Sequence, residues 1–219
     1  MIKTHVSRVD GTEIKFMLER DRNYGMMLSG GIDSAILFYM ILATYREREW
    51  TPRIKPFTMR KVNERMETAN LMVDHLNKIL GFGIPHTTPI SDPSIHHRDQ
   101  GELAWKEIRE KHQEIDFVYY ASNAVPPWKY EGWEKDSRGL PKGMPARSTG
   151  EGGMVYLPFL NLYKYHTVDL VVEHGQEEIF RIARSCTISI DGPRCGQCFH
   201  CRERAWGFST AGQEDPGIG

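Results

Sequence analysis

Residues 4–9 and 13–18 alternate polar and apolar side chains on either side of Asp10-Gly11, which predicts a β-hairpin. An unbroken apolar stretch, Tyr24-Gly25-Met26-Met27-Leu28, then runs through a glycine turn into Ala35-Ile36-Leu37-Phe38-Tyr39-Met40-Ile41-Leu42, giving strand, turn and helix in direct succession. Further strands are expected at 54–58, around 84–90 and at 116–121, and helices at about 62–80, at 102–112 (through Leu103, Trp105 and Ile108), at 165–173 and at 177–183. Strands and helices that take turns in this way predict an α/β fold with a doubly wound, mostly parallel sheet, which binds its ligands beyond the carboxyl ends of the strands. From 125 to 153 the periodicity lapses among Pro126-Pro127, Pro141, Pro145 and several glycines, so a substrate-facing flap is expected there. The polar end, 209–219, is expected to be a disordered tail, leaving a single domain over 1–208.

The chain has 219 residues of which 40% are hydrophobic, enough to bury a sizeable core. With 28 Lys and Arg against 29 Asp and Glu it carries no bulk charge for a nucleic-acid or anionic-membrane partner. Met1-Ile2-Lys3-Thr4-His5-Val6 has no apolar signal region, and no apolar run approaches the roughly 20 residues of a spanning helix. A cytoplasmic protein acting on small molecules is expected, with homodimerisation left open.

Between the apolar strand and helix stand Ser29-Gly30-Gly31-Ile32-Asp33-Ser34. The first amides of a helix and the positive end of its dipole face one small volume there, which suits a phosphate. The paired glycines let backbone approach an anion, Ser29 and Ser34 add hydroxyls, and Asp33 can either cap the helix or hold Mg2+. A Walker loop would need Lys-Ser/Thr after its last glycine and a dinucleotide fingerprint a third glycine, and neither is present. Near the other end, Cys186, Cys195, Cys198 and Cys201 form a C-x8-C-x2-C-x2-C array. Four thiolates at such spacing read as a closed structural Zn2+ site, with an iron–sulfur cluster as the rival reading. His200 could replace one cysteine but reads as a surface residue beside Cys201.

The Ser-Gly-Gly-x-Asp-Ser loop resembles the PP-loop of the ATP pyrophosphatases, with the adenine nucleotide alpha hydrolase-like fold. That resemblance implies cleavage of ATP between its α and β phosphates, with Ser29, Gly30, Gly31, Ile32, Asp33 and Ser34 holding the nucleotide. Together with the four cysteines it resembles the 7-cyano-7-deazaguanine synthases. Pro158 to Lys164, within Leu157-Pro158-Phe159-Leu160-Asn161-Leu162-Tyr163-Lys164, is similar to the family's Pro-Leu-x4-Lys. Ser185-Cys186, and Cys195-Gly196 followed by Cys198, Cys201 and Arg204, are similar to its zinc segment over 186–204, while Arg60 and Glu64 suit its Arg-His-x2-Glu, with Lys61 in the histidine position. Arg98-Asp99 is a fainter echo of an Arg-Asn segment. The chain departs from the family at Phe57-Thr58-Met59, where Tyr-Gly-Gln is usual, and at Val125-Pro126-Pro127-Trp128, where Tyr-Pro-Asp-Cys-Arg is expected.

The resemblance implies that a 7-deazapurine carboxylate attacks the α phosphorus of ATP, that ammonia captures the acyl adenylate as an amide, and that a second ATP drives dehydration to the nitrile, in queuosine-type biosynthesis. Such chemistry calls for charge neutralisation on phosphates, and Asp33, Lys164 and Arg60 are the expected catalytic residues, with Arg204 either a phosphate partner or a brace for the zinc knuckle. A PP-loop tRNA-modifying sulfurtransferase, a related amide-forming adenylating enzyme and a non-catalytic ATP-binding zinc module are the alternatives.

Overall fold

A computed structural model describes residues 1–59, 66–92, 97–127, 146–150, 153–186, 188–189 and 193–216. Its first element is the expected hairpin, β1 (Ile2–Val6) and β2 (Glu13–Met17), in the register Ile2↔Met17 and Val6↔Glu13. Alternation places Ile14, Phe16 and Leu18 in the core, so the hairpin is a cover for the main sheet although it forms a separate two-stranded one. Its turn is tied to the body through Asp169, whose carboxylate accepts hydrogen bonds from Ser7 Oγ (3.0 Å) and the Arg8 amide (2.7 Å).

The main sheet has the order β5-β4-β3-β6-β8-β7. Strands β3 (Tyr24–Met27), β4 (Ile54–Met59), β5 (Thr88–Ile90), β6 (Phe117–Tyr119) and β8 (Gly153–Leu157) run parallel, and β7 (Ala146–Gly150) pairs antiparallel to β8 at the edge. The five-strand parallel sheet agrees with the α/β expectation. All of β3 is buried, as a central strand covered on both faces requires. The helix after it, α1 (Ile32–Glu47), is longer than the apolar run over 35–42 suggested, because Thr44 and Tyr45 are buried as well. Helices α2 (Met66–Leu80) and α3 (His97–Lys111) follow β4 and β5, and α4 (Lys164–Glu173), α5 (Glu178–Ile182) and α6 (Phe199–Thr210) follow β8.

Within the expected flap over 125–153, strand β7 occupies 146–150, and 128–145 and 151–152 lie outside the described residues. The end of the chain is not a free tail as far as 216, because α6 continues to Thr210 and Asp215 is bound to Arg204 and Arg194. No helix among the described residues is long and apolar enough to cross a membrane.

Candidate functional site

Chain direction in the sheet creates a crevice. From β3 the chain passes to β4 on one side, and from β6 it passes to β8 on the other, so adjacent β3 and β6 form a topological switch point. The Ser29–Ser34 loop leaves the carboxyl end of β3, residues 120–124 leave β6, and Lys164 opens α4 shortly after β8. The site is assembled from all three.

Gly30 has φ +76°, and a Cβ there would stand 3.0 Å from Thr68 Cγ2 and 3.3 Å from the Ala69 amide of α2. Both the left-handed backbone and the close helix therefore require glycine. Gly31 is the N-cap of α1 with extended backbone, and no side chain caps the helix. The Ser34 hydroxyl accepts from the Ser29 amide (3.2 Å) and stands 3.1 Å from Ser29 Oγ, which cross-braces the loop. Ile32 is buried beneath it. The opening amides of α1, which a helix cannot satisfy from within, follow the carboxyl end of β3 at the switch point of the sheet.

Asp33 sits in the first turn of α1 and turns its carboxylate to α4, so the alternative of Asp33 as helix cap is set aside. Its Oδ1 accepts from Thr167 Oγ1 (2.7 Å) and Asn123 Nδ2 (2.9 Å), and its Oδ2 pairs with the Lys164 ammonium. Glu203 Oε2 on α6 lies 3.7 Å from the same ammonium. Lys164 is buried, which alone would lower its pKa, but Asp33 and Glu203 outweigh burial and hold it above the ordinary lysine value. The residue expected to hold Mg2+ thus has both oxygens engaged, and a cation binding there would have to displace an ammonium ion. Asp33 as found does not fit a magnesium ligand.

Arg204 is fully buried and takes the bracing role. It donates to the carbonyls of Phe180 (2.7 Å) and Ala183 (2.9 Å) and to both oxygens of Asp215 (2.9 and 2.8 Å), leaving no guanidinium edge for a phosphate. Arg60 follows the last residue of β4 and, with Lys61 and Glu64, lies outside the described residues.

Cys186, Cys195, Cys198 and Cys201 converge until their sulfurs all lie within 4.8 Å of one another. Four thiolates about 2.3 Å from one ion would stand about 3.8 Å apart, and Cys195 and Cys201 are already at 4.0 Å. This spacing fits one tetrahedral ion such as Zn2+, whereas a polynuclear cluster standing between the sulfurs would hold them further apart. Burial pushes the Cys186 thiol up, but the amides of Cys195, Ser189 and Ile188 together bring it down to about 6. For Cys201, burial and the Cys198 side chain raise the thiol to about 12. His200 lies outside the four-sulfur set and stands 3.9 Å from Glu203.

The chain just ahead of the cysteine segment touches the loop, because the Arg184 amide, two residues before Cys186, donates to the Gly30 carbonyl (3.0 Å). The structure brings the expected Asp33 and Lys164 together, and adds to them Asn123, Thr167 and Glu203, which the sequence does not single out. Thr167 follows Lys164 by one helical turn and was findable on that ground. Asn123 had no local signal.

No family model matches the chain. It is similar to curated proteins named 7-cyano-7-deazaguanine synthase: from two strains of Pseudomonas putida, each 31% identical over 120 residues covering 52% of this chain and 51% of the relative, and from Azotobacter vinelandii, 37% identical over 68 residues covering 31% and 30%. The chain spans about half the length of the curated relatives it matches.

Proposed function

We propose that this chain is an ATP-dependent carbon–nitrogen ligase that converts 7-carboxy-7-deazaguanine and ammonia to 7-cyano-7-deazaguanine. The observation that carries the reading is the meeting of Asp33, Lys164, Asn123 and Thr167 beside the Ser29–Ser34 loop at the switch point of the sheet. The names of its relatives support the product, 7-cyano-7-deazaguanine, and the carboxylate acceptor follows from the family resemblance of the sequence. A carboxylate oxygen of the 7-deazapurine attacks the α phosphorus of ATP, the bond to the bridging oxygen breaks, and pyrophosphate departs with that electron pair. Ammonia then attacks the acyl carbon, loses a proton, and expels AMP to leave the amide. A second adenylation at the amide oxygen, followed by loss of AMP and protons, gives the nitrile.

In this account the opening amides of α1 receive phosphate oxygens, and they are fixed before substrate arrives, so little reorganisation is needed as charge develops. Asp33 keeps the Lys164 ammonium charged in a buried place, where it neutralises phosphate charge more strongly than it would in water. Zn2+ held by the four cysteines would serve as a structural clamp, since all its positions are filled by thiolates. The test is to incubate the full chain with ATP, Mg2+, ammonia and 7-carboxy-7-deazaguanine and to weigh the products. The nitrile mass is expected; the amide as end product would assign an amide-forming adenylating enzyme, and unchanged substrate would overturn the reading.

A further inference from the structure

Helix α6 runs in three turns from the four-cysteine cluster along α4, whose Lys164 pairs with Asp33 at the Ser29–Ser34 loop. Cys198 is its N-cap and Cys201 lies in its first turn, so its start is fixed by the cluster. One turn on, Glu203 is buried with its carboxylate 3.7 Å from Lys164 Nζ, and Arg204 clamps the helix to the 180–183 carbonyls. A further turn on, Gly207 lies where a Cβ would come 2.4 Å from Lys164 Cγ, 2.9 Å from its Cβ and 3.2 Å from its carbonyl carbon. Glycine is a poor residue for a helix interior, and its place here follows from the close crossing of α4. The stem of Lys164 is therefore held by Gly207 and its head by Glu203.

We propose that Glu203 and Gly207 are positioning residues: together they aim the Lys164 ammonium at Asp33 and thereby set the nucleotide site. Neither residue needs to touch the nucleotide. Gly207 fixes how near α6 comes to the base of the side chain, and Glu203 supplies the second carboxylate that keeps the ammonium in the cleft. The functional consequence rests on the nucleotide reading given above, whereas the positioning itself does not.

The test reads Lys164 directly. Wild type, Gly207→Ala, Glu203→Gln and Glu203→Asp are exposed briefly to an amine-acylating reagent, and labelling at Lys164 is followed by mass spectrometry beside metal content, melting temperature and ATP affinity. Gly207→Ala and Glu203→Gln are expected to raise Lys164 labelling and weaken ATP binding at least tenfold with metal content unchanged, and Glu203→Asp to restore part of both. Labelling that stays at the wild-type rate in folded Gly207→Ala and Glu203→Gln overturns the positioning role. Raised labelling with unaltered ATP affinity overturns its link to the loop. A wild type that binds no ATP, with labelling still raised in the variants, fails the nucleotide reading and leaves the positioning intact. Should Gly207→Ala not fold, the contrast between Glu203→Gln and Glu203→Asp decides.

Discussion

Replacing Asp33 by asparagine keeps the shape of the side chain and removes the charge that faces Lys164. The new amide oxygen can still accept from Thr167 and Asn123, so the loss falls on the charged bond to the ammonium. A hydrogen bond between charged groups contributes roughly 1.5–3 kcal/mol, and leaving a buried charge wholly unpaired costs about 3–5 kcal/mol. Glu203 remains 3.7 Å from the ammonium, and the Asp33 side chain is 20% exposed, so the cost should fall below that upper range. We expect about 2–3 kcal/mol, which for a domain of this size lowers the melting temperature by roughly 4–12 °C. Asp33→Asn is therefore expected to weaken the fold. Lys164→Met leaves no buried ammonium to satisfy but strips the buried Glu203 carboxylate of its cation, so in a double-mutant cycle the second substitution should recover only part of the loss, with a coupling energy of about 1.5–3 kcal/mol. The assay is urea denaturation of the four proteins at pH 7.5. Additive effects, or an Asp33→Asn variant as stable as wild type, would refute the claim that the pair is a buried, mutually dependent unit.

The remaining expectations concern the loop, the cysteines and pH. Gly31→Ala should leave melting within about 2 °C, because its Cβ meets only Ser29 Oγ at 3.4 Å and its backbone suits alanine, yet weaken ATP binding by placing a methyl at the loop; Gly30→Val should instead lose the fold, given its φ of +76° and the nearby Thr68. Cys198→Ser should lower zinc content and melting temperature together, as a closed thiolate site contributes to folding, and full metal retention by elemental analysis would contradict it. Burial lowers the pKa of His5, His166 and His174 against the pull of Glu173 on His5 and His174 and of Asp10 on His166, and the His5 charge lowers His174 further, so the unfolded chain binds the more protons near pH 6. Stability from these groups is complete above about pH 6.5 and is lost as pH falls. Denaturation midpoints should drop between pH 7.5 and 5.5, less steeply in His174→Gln; a flat profile would contradict the assignment.

What the sequence disclosed followed from local pattern. The hairpin, the run from β3 through the loop into α1 and the cysteine array each depend on neighbours close in the chain, where periodicity, glycine and ligand spacing carry the information. Strand β8 escaped notice because Gly152-Gly153 and the proline-rich stretch before it hide a short strand paired on both sides. Pairings across the fold were not legible: Asn123 reaches Asp33 over 90 positions and Lys164 over 131. Asp215 read as part of a polar tail because nothing near it announces that Arg204 is buried and needs a carboxylate. Lys164 was found through a resemblance in spacing, but its dependence on Glu203 and Gly207 comes from the packing of α4 on α6.

The central claim is that this chain cleaves ATP between the α and β phosphates to activate a carboxylate. ATP labelled at the α phosphate, incubated with the protein, Mg2+, ammonia and 7-carboxy-7-deazaguanine and resolved by chromatography, tests it most directly. Labelled AMP that forms with pyrophosphate, depends on the carboxylate and is lost in Lys164→Met is the expected result. Labelled ADP with free phosphate, or ATP left intact with every reactant present, would contradict the account.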